Sequence, residues 1–239
     1  MRLNDPEVVR REYACEDRFL ARRVVFREYV EGPNAEDVAF EAVREAVPED
    51  VLEIGCGPGE FAARLRDQLG VHVVAVDLSP RMVELARARG LEARVADAEA
   101  LPFADGMFDC AVANWVLHHV GELHRGLAEI TRVLRPGGRL VAATFGDRHL
   151  DELYVWLEAP STGGLEFSRE NGEATLRRHF ERVERRDADA TVVFPDRAAL
   201  CRYLRSLMRG ADLAERLPEF DGPFRARSVQ AVFVVEKAS

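Results

Sequence analysis

The stretch VLEIGCGPGE, Val51 to Glu60, decides the fold. Its apolar-leaning start, Val51 to Ile54, runs into glycine at Gly55, Gly57 and Gly59. Such a run, closed by glycines, reads as a strand that turns sharply into a helix. Glycine there permits unusual φ and lets another group approach the backbone closely. A tight turn needs fewer than three glycines in five residues. The surplus points to a ligand passing over the loop, where the first N–H groups of the next helix lack partners. The spacing G-x-G-x-G departs from the G-x-G-x-x-G of dinucleotide-binding loops, which counts against a nicotinamide dehydrogenase.

Working outward, the alternation is regular. EFAARLRDQLG reads as a helix with Phe61, Leu65 and Leu69 on one face and Gly70 as its stop. VHVVAVD reads as a strand. SPRMVELARARG reads as a helix capped by Ser79, with Pro80 at its first position. EARVAD and MFDCAVANWV are strands, ELHRGLAEITRVL is a helix, PGG a turn and RLVAATFG a strand. Upstream, residues 6–31 read as helix, broken by Gly32 and Pro33. Asn34 caps a second helix through Val47, which Pro48 ends. Strands that alternate with helices imply right-handed crossovers, hence an α/β, Rossmann-like, mostly parallel sheet sandwiched by helices. After Gly146 come short helices, strand within ERVERRDADATVVF, an amphipathic helix bearing Leu200, Tyr203, Leu204 and Leu207, and a final strand in SVQAVFVVEK. We divide the chain into an N-terminal helical cap segment (1–47), a core (48–146), a substrate-covering insertion (147–180), and a C-terminal part of the sheet with one amphipathic helix (181–239).

Composition narrows the function. The chain has 239 residues, enough for one main domain with an appendage. No apolar run reaches the ~20 residues of a membrane span, and the charged N-terminus has no signal-peptide core. We expect a cytoplasmic protein with no membrane partner. A net charge of −9 makes nucleic acid an unlikely partner, because phosphate neutralisation favours basic surfaces. Cys15, Cys56, Cys110 and Cys201 form no C-x-x-C pair, so neither disulfides nor a metal site is expected. The sequence carries no signal for oligomeric state.

VLEIGCGPG resembles the first motif of the class I S-adenosylmethionine-dependent methyltransferases, small-molecule type, among them the ubiquinone, menaquinone and natural-product enzymes. VVAVDLSPRMVELAR, VADAEALPFADGMFDCAVANWVLHHV and LAEITRVLRPGGRLVAATF continue the resemblance over about a hundred residues. It implies a seven-stranded sheet with N-terminal helices and a small helical cap over the active site. It also implies S-adenosyl-L-methionine as cofactor and S-adenosyl-L-homocysteine as product. Gly55, Gly57, Pro58 and Gly59 would pass beneath the methionine part, with Glu53 orienting the loop or meeting the ammonium. Asp77, 22 residues after Gly55 at a strand end, would take two ribose hydroxyls, with Leu78 and Met82 beside it. Asp97 and Ala98 would meet the adenine. Asn114 and Trp115 would close the fourth side. Asp77 also reads as a local cap before Pro80, and Asp97 as a cap for AEALPF.

Methyl transfer needs alignment of nucleophile, methyl and sulfur, exclusion of water, and a base only where the nucleophile sheds a proton. His118 and His119 follow the fourth strand and are the candidate catalytic residues; His119 is the better placed by this reading, and packing is the plainer role for both. Tyr13, Arg18, Tyr29, Tyr154 and Trp156 are the candidate substrate contacts. The function expected is methyl transfer to O, N or C of a small molecule. RNA or protein methylation, or a catalytically silent binding scaffold, are the alternatives. Asn114-Trp115-Val116-Leu117 lacks the Asn/Asp-Pro-Pro-Tyr pattern of adenine and glutamine methyltransferases.

Overall fold

The structure, a computed structural model, describes residues 4, 7–8, 13, 16–159, 164–207 and 210–238. In chain order its elements begin α1 (Glu16–Glu28), β1 (Val30–Glu31), α2 (Ala35–Ala46), β2 (Asp50–Ile54), α3 (Glu60–Leu69) and β3 (His72–Asp77). α4 (Pro80–Ala88), β4 (Glu92–Val95), β5 (Phe108–Val112), a 3₁₀ turn (Leu117–His119), α5 (Leu123–Val133) and β6 (Leu134–Phe145) complete the alternating part. Then come α6 (Asp151–Trp156), α7 (Gly172–Leu176), β7 (Arg182–Asp187), β8 (Ala190–Phe194), α8 (Arg197–Ser206), α9 (Gly210–Arg216), β9 (Phe224–Ser228) and β10 (Gln230–Glu236).

Seven strands form one sheet in the order β4-β3-β2-β5-β6-β10-β7. The first five run parallel; β10 is antiparallel to both neighbours. Both faces are covered, so β2 and β5 bury nearly every residue, as parallel strands between helix layers must. On one face α2, α3 and α4 pack through Ala39, Val43, Phe61, Leu65, Val83 and Ala86. On the other, Leu127, Ile130 and Val133 of α5 join Phe167 and Phe233. The caps read from sequence are present: Asn34 Oδ1 accepts from Glu36 N at 2.8 Å, and Ser79 Oγ from Met82 N at 3.4 Å. Gly70 closes α3 at φ 69°.

The structure departs from the sequence reading in four places. Val30 and Glu31, read as helix, form a short strand paired with Val192 and Thr191. The Pro136–Gly138 turn is absorbed into β6, with an irregular register opposite Phe108 and Cys110. The strand read over 107–116 ends at Val112. Residues 181–239, expected to join one sheet and carry one helix, carry two helices among their described residues and split their strands between two sheets. β1, β8 and β9 form a separate three-stranded antiparallel sheet. That sheet packs with α1, α6 and α8 around its own core of Val25, Leu153, Phe194, Leu200 and Leu204. Residues 167–180 meanwhile pack on the main sheet through Phe167, Leu176 and Phe180. No described helix is long and apolar enough to cross a membrane. Cys56, Cys110 and Cys201 are free and buried; Cys15 lies outside the described residues.

Candidate active site

The strand order reverses between β2 and β5, and a crevice opens there beyond the carboxyl ends of the parallel strands. It leads into a cavity of about 1060 Å³. β2 delivers Glu53 and the glycine turn, β3 delivers Asp77, the loop after β4 delivers Asp97 and Ala98, and the loop after β5 delivers Asn114 and Trp115. Of the turn, Gly55 and Gly57 line the cavity, as do Glu53, Pro58, Asp77, Leu78, Asp97, Ala98, Asn114, Trp115, His118 and His119.

The three glycines answer to three different neighbours. A Cβ on Gly55 (φ 68°) would stand 2.5 Å from Val116 Cγ2. One on Gly57 (φ 53°) would face the cavity and the rim of Phe19 at 3.2 Å. One on Gly59 (φ 79°) would strike Leu91 Cδ1 at 2.5 Å and Ala86 Cβ at 2.9 Å. Gly59 therefore seats α3 against α4 and lies outside the cavity lining, as does Met82, a fully buried residue of α4.

Asp77 is held by the loop it faces. Its Oδ2 accepts from Gly57 N at 2.9 Å and its Oδ1 from Ser79 N at 2.8 Å. The carboxylate keeps acceptor capacity beyond these bonds. Burial raises its pKa above the ordinary range, opposed by these backbone hydrogen bonds. Asp97 lines the cavity, and its Oδ1 accepts from Glu99 N at 2.9 Å to close a local turn; AEALPF forms no helix, so the helix cap read for Asp97 is not formed. Trp115 takes a left-handed backbone at φ 52°, and its Nε1 donates to Gln230 Oε1 at 2.9 Å.

Two side chains here hold buried polar atoms with no hydrogen-bond partner. Glu53 is 3% exposed and its Oε2 receives no hydrogen bond; both Oδ1 and Nδ2 of Asn114 are also unmatched. Desolvation, reinforced by the nearby Glu36 charge, pushes the Glu53 carboxyl up to about 8. Orphaned buried polar groups cost about 1–3 kcal/mol each. Sited in a cavity, they mark where a polar ligand completes the fold.

The histidines divide. His118 is buried, leaves Nδ1 unmatched, and burial holds it neutral with a pKa well below the ordinary value. His119 Nε2 shares a hydrogen bond with the Tyr13 hydroxyl at 3.2 Å, and Tyr13 O accepts from Ser79 Oγ at 2.7 Å.

Of the expected substrate contacts, Tyr13 and Tyr154 line the cavity; Arg18, Tyr29 and Trp156 do not. Arg18 sits on the exposed side of α1. Tyr29 packs toward Phe194, and Trp156 stacks on Phe224 at 4.8 Å, both within the second core. The lining also includes Phe19, Phe26, Phe145, His149 and Tyr203, which the sequence reading missed. Tyr203 sits in a helical stripe that looked like ordinary core; only the packing of α8 against α1 brings it to the cavity. Among the described residues no cluster of three or more His, Cys, Asp or Glu could hold a metal ion.

Residues 52–142 match a family model described as a methyltransferase domain. A demethylmenaquinone methyltransferase of Thermus thermophilus is 40% identical over 45% of this chain and 52% of its own length. A malonyl-[acyl-carrier protein] O-methyltransferase of Pseudescherichia vulneris is 33% identical over 72% of this chain and 69% of its own. The chain thus spans between about half and two thirds of these two relatives. The YcgJ protein of Bacillus subtilis superposes with a TM-score of 0.61 at 19% identity, over 86% of this chain and 98% of that one. A Thermotoga maritima protein described as a possible histamine N-methyltransferase superposes at 0.56 with 24% identity over 92% of each chain. At these identities the two structures establish a shared fold.

Proposed function

This chain belongs to the class I S-adenosylmethionine-dependent methyltransferases, and we propose that it methylates an oxygen, nitrogen or carbon of a small molecule. The observation that carries this reading is the set of buried polar atoms without partners, Glu53 Oε2 and both polar atoms of the Asn114 amide, in one cavity with the Gly57–Asp77 contact. S-adenosylmethionine would supply a methyl group made electrophilic by its sulfonium. The residues present fit it. Glu53 offers an acceptor to the methionine ammonium. Asp77, aimed by Gly57 N and Ser79 N, keeps lone pairs for two ribose hydroxyls. Asp97 and the Ala98 backbone serve the adenine end, and Asn114 offers both a donor and an acceptor to the polar end.

The chain's remaining task is alignment and exclusion of water. Tyr13 and Phe19 close the cavity from above the glycine turn. His119, hydrogen-bonded to Tyr13, is our candidate for receiving a proton where the acceptor sheds one.

Calorimetric titration with S-adenosylmethionine, S-adenosylhomocysteine and NAD tests the reading. Binding of the adenosyl ligands alone supports it, and Asp77→Ala should weaken them about 10- to 100-fold, the worth of hydrogen bonds to a charged group. Unchanged affinity in that variant removes the ribose role from Asp77.

A further inference from the structure

From the glycine turn outward, one wall of the cavity is a continuous file of rings, contributed partly by the alternating fold and partly by elements outside it. From the turn, Phe19 meets Tyr13 at 6.2 Å between centroids, Tyr13 meets His119 at 5.7 Å, and His119 meets His118 at 4.2 Å. The file continues from His118 to Phe145 at 5.9 Å, to His149 at 4.4 Å, to Phe26 at 5.7 Å and on to Tyr203 at 6.3 Å. Every one of these rings lines the cavity. They come from the N-terminal segment, α1, the 3₁₀ turn, the end of β6 and α8, so no single element's periodicity produces the file.

Packing alone does not account for it. Interior apolar volume is filled elsewhere by Phe108, Phe167 and Phe233, which are fully buried and outside the lining. The belt instead includes two buried imidazoles, a costly choice for a purely apolar wall. Desolvation holds both neutral, His149 down at about 3. They therefore present polar edges without charge. The cavity, about 1060 Å³, stands at the upper end of the roughly 300–1,000 Å³ of ligand pockets.

Charge settles which rings suit the belt. The Arg22 guanidinium lies 5.7 Å over the Tyr13 ring, occupying that cation-binding face and repelling a second cation. Asp212 of α9 and Glu166, which also line the cavity, are exposed residues. Resting on the methyl-transfer reading, we propose that the methyl acceptor is a planar, uncharged aromatic ring that lies along the belt from His118 to Tyr203. Aliphatic acyl chains and cationic amines are the classes it disfavours.

The test uses the whole chain saturated with S-adenosylhomocysteine and three probes: 2-naphthol, tryptamine and octanoate. 2-Naphthol should bind about tenfold more tightly than the other two, and Phe26→Ala should weaken it by about tenfold, as loss of a ring contact does. Phe26→Leu, which keeps apolar volume and should fold normally, should weaken it in the same direction. An unchanged affinity for S-adenosylhomocysteine in both variants certifies the fold. Equal binding of tryptamine or octanoate, no binding of 2-naphthol, or indifference to both Phe26 variants overturns the proposal. Should wild type ignore S-adenosylhomocysteine yet bind 2-naphthol through Phe26, the belt stands and the methyl-transfer reading falls.

Discussion

At Gly59 a methyl group would collide with Leu91 and Ala86, whereas at Gly57 it would meet only the rim of one ring. Both positions carry positive φ, which costs a non-glycine residue about 1–2 kcal/mol. Overpacking adds to this at Gly59 alone. Gly59→Ala should therefore lose about 2–4 kcal/mol in urea denaturation. Gly57→Ala should lose less stability but more affinity for S-adenosylhomocysteine; the reverse order would exchange their roles. Glu53 makes a separate residue-scale prediction. Its carboxyl titrates at about 8 in the fold against an ordinary 4.5. Between these values the unfolded chain gives up a proton that the fold keeps, so stability falls as pH rises through the window and levels above it. Glu53→Gln removes the titration. Its stability relative to wild type should climb across that window by up to about 1.4 kcal/mol per pH unit. Denaturation below, within and above the window measures this, and a difference independent of pH would mean that Glu53 is charged and compensated in the fold.

At the scale of elements, α1 is the least self-evident helix and the most consequential. Only Val25 of its residues is fully buried, so its apolar stripe is faint in sequence. Ion pairs bind it to the alternating core: Glu16 to Arg81 by two hydrogen bonds, and Arg23 to Glu36 and Glu60. Arg81 holds the Glu16 carboxyl down at about 2, so this pair persists well below the usual carboxylate range. The groups are solvent-accessible and screened, so Arg81→Ala should leave global unfolding almost unchanged. Hydrogen exchange over residues 16–28 should quicken, because the helix loses a tether and not a core contact. Unaltered exchange there would mean that Phe19, Phe26 and Val25 hold α1 without the ion pairs. The same contrast explains what sequence could tell. β2 and β3 are short apolar runs, α2 and α4 begin at Asn34 and Ser79, and α3 stops at Gly70; each signal is local to its element. β1 is two residues long, and β9, Phe224–Ser228, alternates with arginines. Neither shows itself until its partner strand is in place. The site divides in the same way. Glu53, Asp77 and Asn114 were legible because they sit beside strand ends, while Phe26, His149 and Tyr203 reach the cavity only through packing between distant segments.

At the scale of the whole molecule, two assemblies enclose the cavity. One is the seven-stranded sheet with a core on each face. The other is the three-stranded sheet with α1, α6 and α8 around Val25, Leu153, Phe194 and Leu204. The second core is small, and its apolar contacts are made mostly within itself. Such a unit can open without melting the main sheet, since cooperative units differ in local stability. Opening it would uncover the aromatic belt, giving ligands a route in and out. Leu204 is fully buried in that core, and Leu127 in the main one. Leu204→Ala should cost about 2–5 kcal/mol, felt as faster native-state exchange of the β8 and β9 amides with β2 and β5 amides little changed. Leu127→Ala should instead speed exchange throughout. A ligand that bridges both assemblies should restore protection to β8 and β9 in Leu204→Ala, by about 2.7 kcal/mol at a hundred times its Kd. If Leu204→Ala quickens β2 and β5 as much as β8 and β9, the two cores unfold as one, and separate opening of the second core is not the route into the cavity.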